Sequence, residues 1–200
     1  MEQSFYEKYA YIRASLEEVL RPERYQHSLS VAMTSSCLAM RYGVDIERAY
    51  LAGLLHDCAK YDQEHYLERA REAGIKVTEA ESESPGLLHA PLGAYLAKTK
   101  YHVEDEEICS AIRYHTIGRA GMTMLEKIVY LADYIEPLRG PLCDIDLIRS
   151  TAFTDIDRAI FLTAKACSEV LIKAGKRPAK TSYETYEYYR KLAEGEMHEF

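Results

Sequence analysis

The 200-residue chain has no tryptophan, only ten glycines and six prolines, and five cysteines that never form a C-x-x-C pair. So little glycine and proline excludes a low-complexity or collagen-like chain. Cysteines scattered at positions 37, 58, 109, 143 and 167 exclude a zinc knuckle and argue for reduced thiols rather than a disulfide framework. No apolar run approaches the roughly 18 residues of a membrane span, and the first residues, MEQSFYE, offer neither a basic nor an apolar stretch of a signal peptide. The expected setting is therefore cytoplasmic, with no membrane. Positive charge is also short: 25 Lys and Arg against 32 Asp and Glu give a formal net charge of −7. That argues against a nucleic-acid polymer as partner, which calls for a basic stripe. A small anion remains open, since it needs only a local basic pocket.

What the chain does have is helical periodicity, and alternation of the strand kind is missing throughout. At this length one domain is expected, with roughly 70% of the unfolded chain's surface buried on folding. Ser4 and Glu7 are spaced as a capping box for a first helix ending before Pro22. A second helix runs from about Pro22 to Tyr42, closed by Gly43, and Asp45 caps a third that leads into His56 and Asp57. Asp62 can cap a fourth helix, which Gly74 ends, and Val77 to Gly86 reads as the longest loop. Further helices are expected at about 90–99, 105–115, 123–138, 154–174 and 182–192. The fold class is all-α, a single-domain helical bundle over residues 1–200. Seventeen tyrosines are present, four of them at 183, 186, 188 and 189. They read as rings packing the last helix onto the body, with base stacking as the minority reading and a lean towards a homodimer.

The chemistry gathers in a few places where charge interrupts apolar helix. His56 and Asp57 follow the run Tyr50-Leu51-Ala52-Gly53-Leu54-Leu55, and a buried carboxylate there demands a partner. His27 lies in line with Val31 and Leu38, Asp133 breaks the run Ile128–Ile135, and Lys60 stands four residues after His56. Taken singly, each is ordinary, a satisfied core histidine or an ion-paired aspartate. Together, two imidazoles and two carboxylates in apolar helical settings suit a divalent cation with nitrogen and oxygen ligands, such as iron, manganese, magnesium or zinc. Arg24, one turn before His27, can present a forked guanidinium beside them. Lys173, Lys176, Arg177 and Lys180 form a late basic cluster, which alone reads as a solvated helix end. His65, His102 and His198 read as surface residues.

The order His27 … His56-Asp57 … Asp133 resembles that of the HD superfamily of metal-dependent phosphohydrolases. The finer motifs narrow this further: Arg24-x-x-His27, His56-Asp57-Cys58-Ala59-Lys60, His89-Ala90-Pro91-Leu92-Gly93-Ala94, Arg113-Tyr114-His115-Thr116 and Ala132-Asp133-Tyr134-Ile135-Glu136-Pro137. Together they are similar to the bacterial HD-domain symmetrical bis(5′-nucleosyl)-tetraphosphatases, over about Arg24 to Ser182 and without departure at a metal position. The resemblance implies an HD core at about 22–138, with C-terminal helices at 154–192 completing a nucleotide pocket. It implies that His27, His56, Asp57 and Asp133 hold iron, or manganese or magnesium. It implies substrate contacts from Arg24, Asp57, Lys60, His89, His115, Thr116, Asp133 and Arg139, with Asp57, Lys60 and His115 as catalytic candidates. The segment Lys176–Thr181, with Arg177, Pro178, Lys180 and Thr181, would close over the nucleoside.

The implied reaction is hydrolysis of diadenosine tetraphosphate and related dinucleoside polyphosphates to nucleoside diphosphates. His89 and His115 stay open between phosphate contact, a second metal and, for His115, general acid or plain structural histidine. Two other functions compete: a nucleotidase or cyclic-nucleotide phosphodiesterase of the same superfamily, and a non-catalytic nucleotide-binding helical module.

Overall fold

The computed structural model describes residues 5–195. Ser4 of the expected capping box and His198 lie outside that range. The helices are α1 (Phe5–Lys8), α2 (Ala10–Val19), α3 (Pro22–Tyr42), α4 (Ile46–Leu55), α5 (Tyr66–Glu72), α6 (Glu79–Glu83), α7 (His89–Thr99), α8 (Glu106–Tyr114), α9 (Met124–Ile135), α10 (Ile145–Ala152), α11 (Ile156–Lys173) and α12 (Lys180–Ala193). Among the described residues there is no strand, and no helix is long and apolar enough to cross a membrane.

Local chemistry explains most boundaries. Pro22 opens α3 and Gly43, at φ +69°, closes it in the left-handed conformation. Asp45 caps α4 by accepting the Arg48 N–H at 2.9 Å. The helix expected at 123–138 stops at Ile135, because Pro137 forces Glu136 into an extended backbone (ψ 147°). Asp62 does not cap a helix. Its backbone is left-handed (φ 52°) and its carboxylate takes the His65 Nδ1–H at 2.6 Å, so a short 3₁₀ turn precedes α5.

Three further differences from the sequence reading have physical causes. The first helix is broken at Tyr9, which turns inward and donates its hydroxyl to Glu47 at 2.6 Å. The supposed loop 77–86 contains α6, held by a Thr78/Glu81 capping box whose glutamate also takes Arg113 at 2.9 Å. The segment after residue 139 carries α10, whose Ile145, Ile148 and Ala152 face the interior.

At the centre, α3 packs on α4 and α9, and α8 fits between α4, α7 and α9; α10 and α11 cover the other side of α9, and α12 packs on α11. The core includes Ile12, Leu16, Leu38, Leu54, Ile112 and Ile128, each fully buried and worth about 1.5–3 kcal/mol by removal from water. The tail tyrosines divide. Tyr189 is buried and its hydroxyl accepts the Met122 N–H at 3.0 Å, Tyr186 lies against Phe161, and Tyr183 is exposed. All five cysteines are free thiols.

The α3–α4 contact brings His27 to His56, and Gly53 makes it possible. A Cβ there would lie 2.7 Å from Ser35 Oγ and 3.0 Å from both Ala32 Cα and Val31 O. We predict that Gly53→Ala costs about 1–3 kcal/mol by overpacking. Thermal unfolding will read this as a fall of about 2–4 °C per kcal/mol; an unchanged melting temperature contradicts the close approach.

Candidate metal centre

Five helix segments deliver side chains to one buried point between α3, α4, α7, α8 and α9. His27 comes from the second turn of α3. His56 and Asp57 follow the last residue of α4, His89 opens α7, His115 follows α8, and Asp133 sits on the last turn of α9. His27, His56, Asp57, His89 and His115 are buried.

Each imidazole is oriented by what its Nδ1 touches. His56 donates Nδ1–H to Gly53 O at 2.7 Å and His115 to Ile112 O at 2.8 Å. His89 makes the same i−3 contact with Gly86 O. His27 donates to Glu136 Oε1 at 3.0 Å. Carbonyl and carboxylate oxygens only accept, so these contacts put the proton on Nδ1 in all four rings. In a neutral imidazole the other nitrogen, Nε2, then carries a lone pair.

Those four Nε2 atoms face one another and the two aspartates. His27 Nε2 lies 3.2 Å from His56 Nε2, 2.9 Å from Asp133 Oδ1 and 3.9 Å from Asp57 Oδ2. His56 Nε2 is 3.4 Å from Asp57 Oδ2 and 3.6 Å from Asp133 Oδ1. On the other side of Asp57, Oδ1 is 3.4 Å from His89 Nε2 and 3.5 Å from His115 Nε2, which are 3.1 Å apart. Asp57 Oδ1 is buried and has no hydrogen-bond partner. Thr116 Oγ1 stands 3.0 Å from both of these nitrogens and has one proton to share between them.

Lone pairs and anions at such distances need a cation between them. Three sets of possible ligand atoms lie within 4.8 Å of one another: His27, His56 and Asp57; His56, His115 and Asp133; and Asp57, His89 and His115. The donors are nitrogen and oxygen. Cys58, although next to Asp57, turns away to Gly93 O at 3.5 Å, and burial pushes its thiol up to about 12. The residues present therefore fit a divalent ion of the iron, manganese, magnesium or zinc kind.

Electrostatics agree with that donor set. Burial lowers His56, and burial with the neighbouring His115 brings His89 down to about 3, so both are uncharged bases at neutral pH. Burial alone would raise Asp57 and Asp133. Nearby positive charge, Lys60 at Asp57 and Arg139 at Asp133, acts the other way, and both carboxyls are held well below the usual carboxylate range.

Around this anionic centre the chain sets three cations. Arg24 Nη1 donates to Asp57 Oδ2 at 2.7 Å, Lys60 Nζ lies 3.4 Å from Asp57 Oδ1, and Arg139 donates to Asp133 Oδ1 at 2.5 Å and to Asp133 O at 2.8 Å. Beside them opens a cavity of about 610 Å³ whose lining includes Arg21, Glu23, Arg24, His27, Glu136 and Arg139.

Of the residues singled out from the sequence, Arg24, His27, His56, Asp57, Lys60, His89, His115, Thr116, Asp133 and Arg139 converge here. The late segment does not join them. Among the described residues, no hydrogen bond or ion pair links Arg177, Pro178, Lys180 or Thr181 to this cluster. Arg177 and Lys180 are exposed, and Lys180 pairs with Glu184 at 3.7 Å. The helix that follows is tied nearby, since Thr185 on α12 donates to Ile117 O at 3.0 Å, one residue from Thr116. His65 and His102 are on the surface, as expected. Glu136 had no role in the sequence reading, yet it is buried and orients His27. Its one signal was a carboxylate wedged between Ile135 and Pro137.

The HD domain family matches residues 24–138. The chain is 37% identical over 175 residues to "Bis(5'-nucleosyl)-tetraphosphatase, symmetrical" of Bacillus subtilis (strain 168), covering 88% of this chain and 94% of that protein. The Staphylococcus aureus (strain NCTC 8325 / PS 47) protein of the same name is 36% identical, with 86% and 90% covered. Among solved structures, a predicted HD superfamily hydrolase involved in NAD metabolism from Clostridium acetobutylicum superposes with a TM-score of 0.88 at 35% identity, over 92% of this chain and 97% of that one.

The geometry makes Asp57 the residue shared by the two halves of the centre. We predict that a divalent cation at 100 times its dissociation constant stabilises the wild type by about 2.7 kcal/mol and leaves Asp57→Asn unmoved. Thermal melts with and without the cation measure this; equal shifts in both proteins contradict the assignment.

Proposed function

Because this chain belongs to the HD-domain family and, within it, to the symmetrical bis(5′-nucleosyl)-tetraphosphatases, we propose that it hydrolyses diadenosine tetraphosphate and related dinucleoside polyphosphates to two nucleoside diphosphates. The observation that carries this reading is the buried ring of imidazole lone pairs and carboxylates with Arg24, Lys60 and Arg139 at its edge. His27, His56, Asp57 and Asp133 are the proposed ligands, and iron is the proposed occupant, as the family resemblance implies. A divalent cation bound there would lower the pKa of a coordinated water towards about 7 and would offset phosphate charge.

The remaining work falls to the chain. Arg24 and Arg139 are held by Asp57 and Asp133, so each guanidinium is fixed in place and can turn its remaining N–H groups to phosphate oxygens. Lys60 adds a point charge on the His89 side. Phosphoryl transfer depends mainly on positioning and charge, and three cations around one buried centre supply both. Symmetrical cleavage requires attack at the second phosphorus from one nucleoside, with the other nucleoside diphosphate leaving.

His89 and His115 are proposed phosphate contacts. Their Nδ1 protons are committed to Gly86 O and Ile112 O, so donation to phosphate uses Nε2 in its protonated form. His115 is then placed to return its Nε2 proton to the leaving oxygen as a general acid. The tie between Thr185 and Ile117 supports a role for residues 176–181 in covering the nucleoside. The proposed HD core is 22–138, completed by the helices after 154. A cytoplasmic location suits five free thiols.

The test is direct. The purified chain, incubated anaerobically with diadenosine tetraphosphate and Fe²⁺, Mn²⁺ or Mg²⁺ in turn, will yield ADP alone on chromatography. ATP with AMP would contradict symmetrical cleavage, and no turnover with any of the three would overturn the proposed activity.

A further inference from the structure

Glu136 lies just outside the ring of inward-facing atoms, and it is 1% exposed. Both of its carboxylate oxygens are in use. Oε1 accepts the His27 Nδ1–H at 3.0 Å, and Oε2 accepts the Leu138 N–H at 2.6 Å.

Its backbone is equally engaged. The carbonyl oxygen accepts Arg149 Nη2 at 3.0 Å and the Arg139 N–H at 3.1 Å, while Arg149 Nε donates to Ile135 O at 2.9 Å. Pro137 fixes the adjoining turn. The residue thus sits where α9, carrying Asp133, hands over to the turn carrying Arg139.

We propose that Glu136 is the positioning residue of this centre. It fixes the His27 tautomer so that Nε2 points inward with its lone pair, and it locks the Pro137–Arg139 turn beside Asp133. One buried carboxylate thereby couples cation binding to the placement of Arg139. The inference rests on the proposed cation site, although not on the proposed substrate. An imidazole held by a carboxylate on its far nitrogen is a more basic and better-aimed ligand, and loss of such a partner typically weakens metal binding 10–100-fold.

Glutamine is the informative replacement. It keeps the shape of Glu136 but has one acceptor oxygen where two are used, so one of the two donors must lose its partner. The experiment measures Zn²⁺ affinity by competition with a chelating dye, without any nucleotide present. The variants are Glu136→Ala, Glu136→Gln, His27→Ala and the double variant His27→Ala/Glu136→Ala. Circular dichroism checks folding, and Glu136→Gln carries the test if Glu136→Ala does not fold.

We expect a 10–100-fold loss for Glu136→Ala and a loss in the same direction for Glu136→Gln. In the His27→Ala background the second change should alter affinity by less than about twofold, because an effect transmitted through His27 vanishes with it. Affinities within twofold of wild type in the folded single variants, or a full further loss in the His27→Ala background, overturn the proposal. A wild type that takes up no Zn²⁺ overturns both this role and the cation site. A wild type that binds Zn²⁺ without cleaving the dinucleotide overturns the substrate alone.

Discussion

Four histidines whose Nδ1 protons are all committed outward impose the constraint on which this structure depends. Gly53, Gly86 and Ile112 supply backbone carbonyls three residues before His56, His89 and His115, and Glu136 supplies a carboxylate to His27. Each of the three carbonyl contacts needs the chain to leave or enter a helix at that residue, so helix ends surround the centre. The result is a buried set of lone pairs and anions that face one another, with Arg24, Lys60 and Arg139 at its rim. A stable hydrophobic bundle does not need such a cluster and is worse off for it unless a cation is present.

The charge of the chain looks different from that point. A net −7 describes the whole sequence, while the rim of the centre carries Arg24, Lys60 and Arg139, each close to an aspartate oxygen of the centre. Pairing fixes these cations without cancelling their ability to meet phosphate, since each retains further N–H donors. The acidic surface and the locally basic mouth are compatible because a small polyanion reads the mouth alone.

Much of this was legible in the sequence, for identifiable reasons. Asp45, Pro22 and Gly43 act on residues next to them, so their caps could be read directly. His27, His56, Asp57 and Asp133 stood out because charge in an apolar helix has few explanations. The features that were not legible depend on partners far along the chain. Helix α6 exists in a segment of loop-like composition because Glu81, beyond its capping box, meets Arg113, 32 residues away. The break at Tyr9 depends on Glu47, and the role of Glu136 depends on His27, 109 residues before it. The basic segment around Arg177 and Lys180 was conspicuous in composition, but composition does not say which way a side chain points, and those two point to solvent.

The central claim is that nitrogen and oxygen atoms of histidine and aspartate, and no sulfur, hold a cation at this point. X-ray absorption at the metal edge of the iron-loaded protein measures the ligand atoms directly. The account predicts a shell of nitrogen and oxygen neighbours with the multiple scattering of imidazole rings. A sulfur neighbour at about 2.3 Å, or a shell without imidazole, would contradict it.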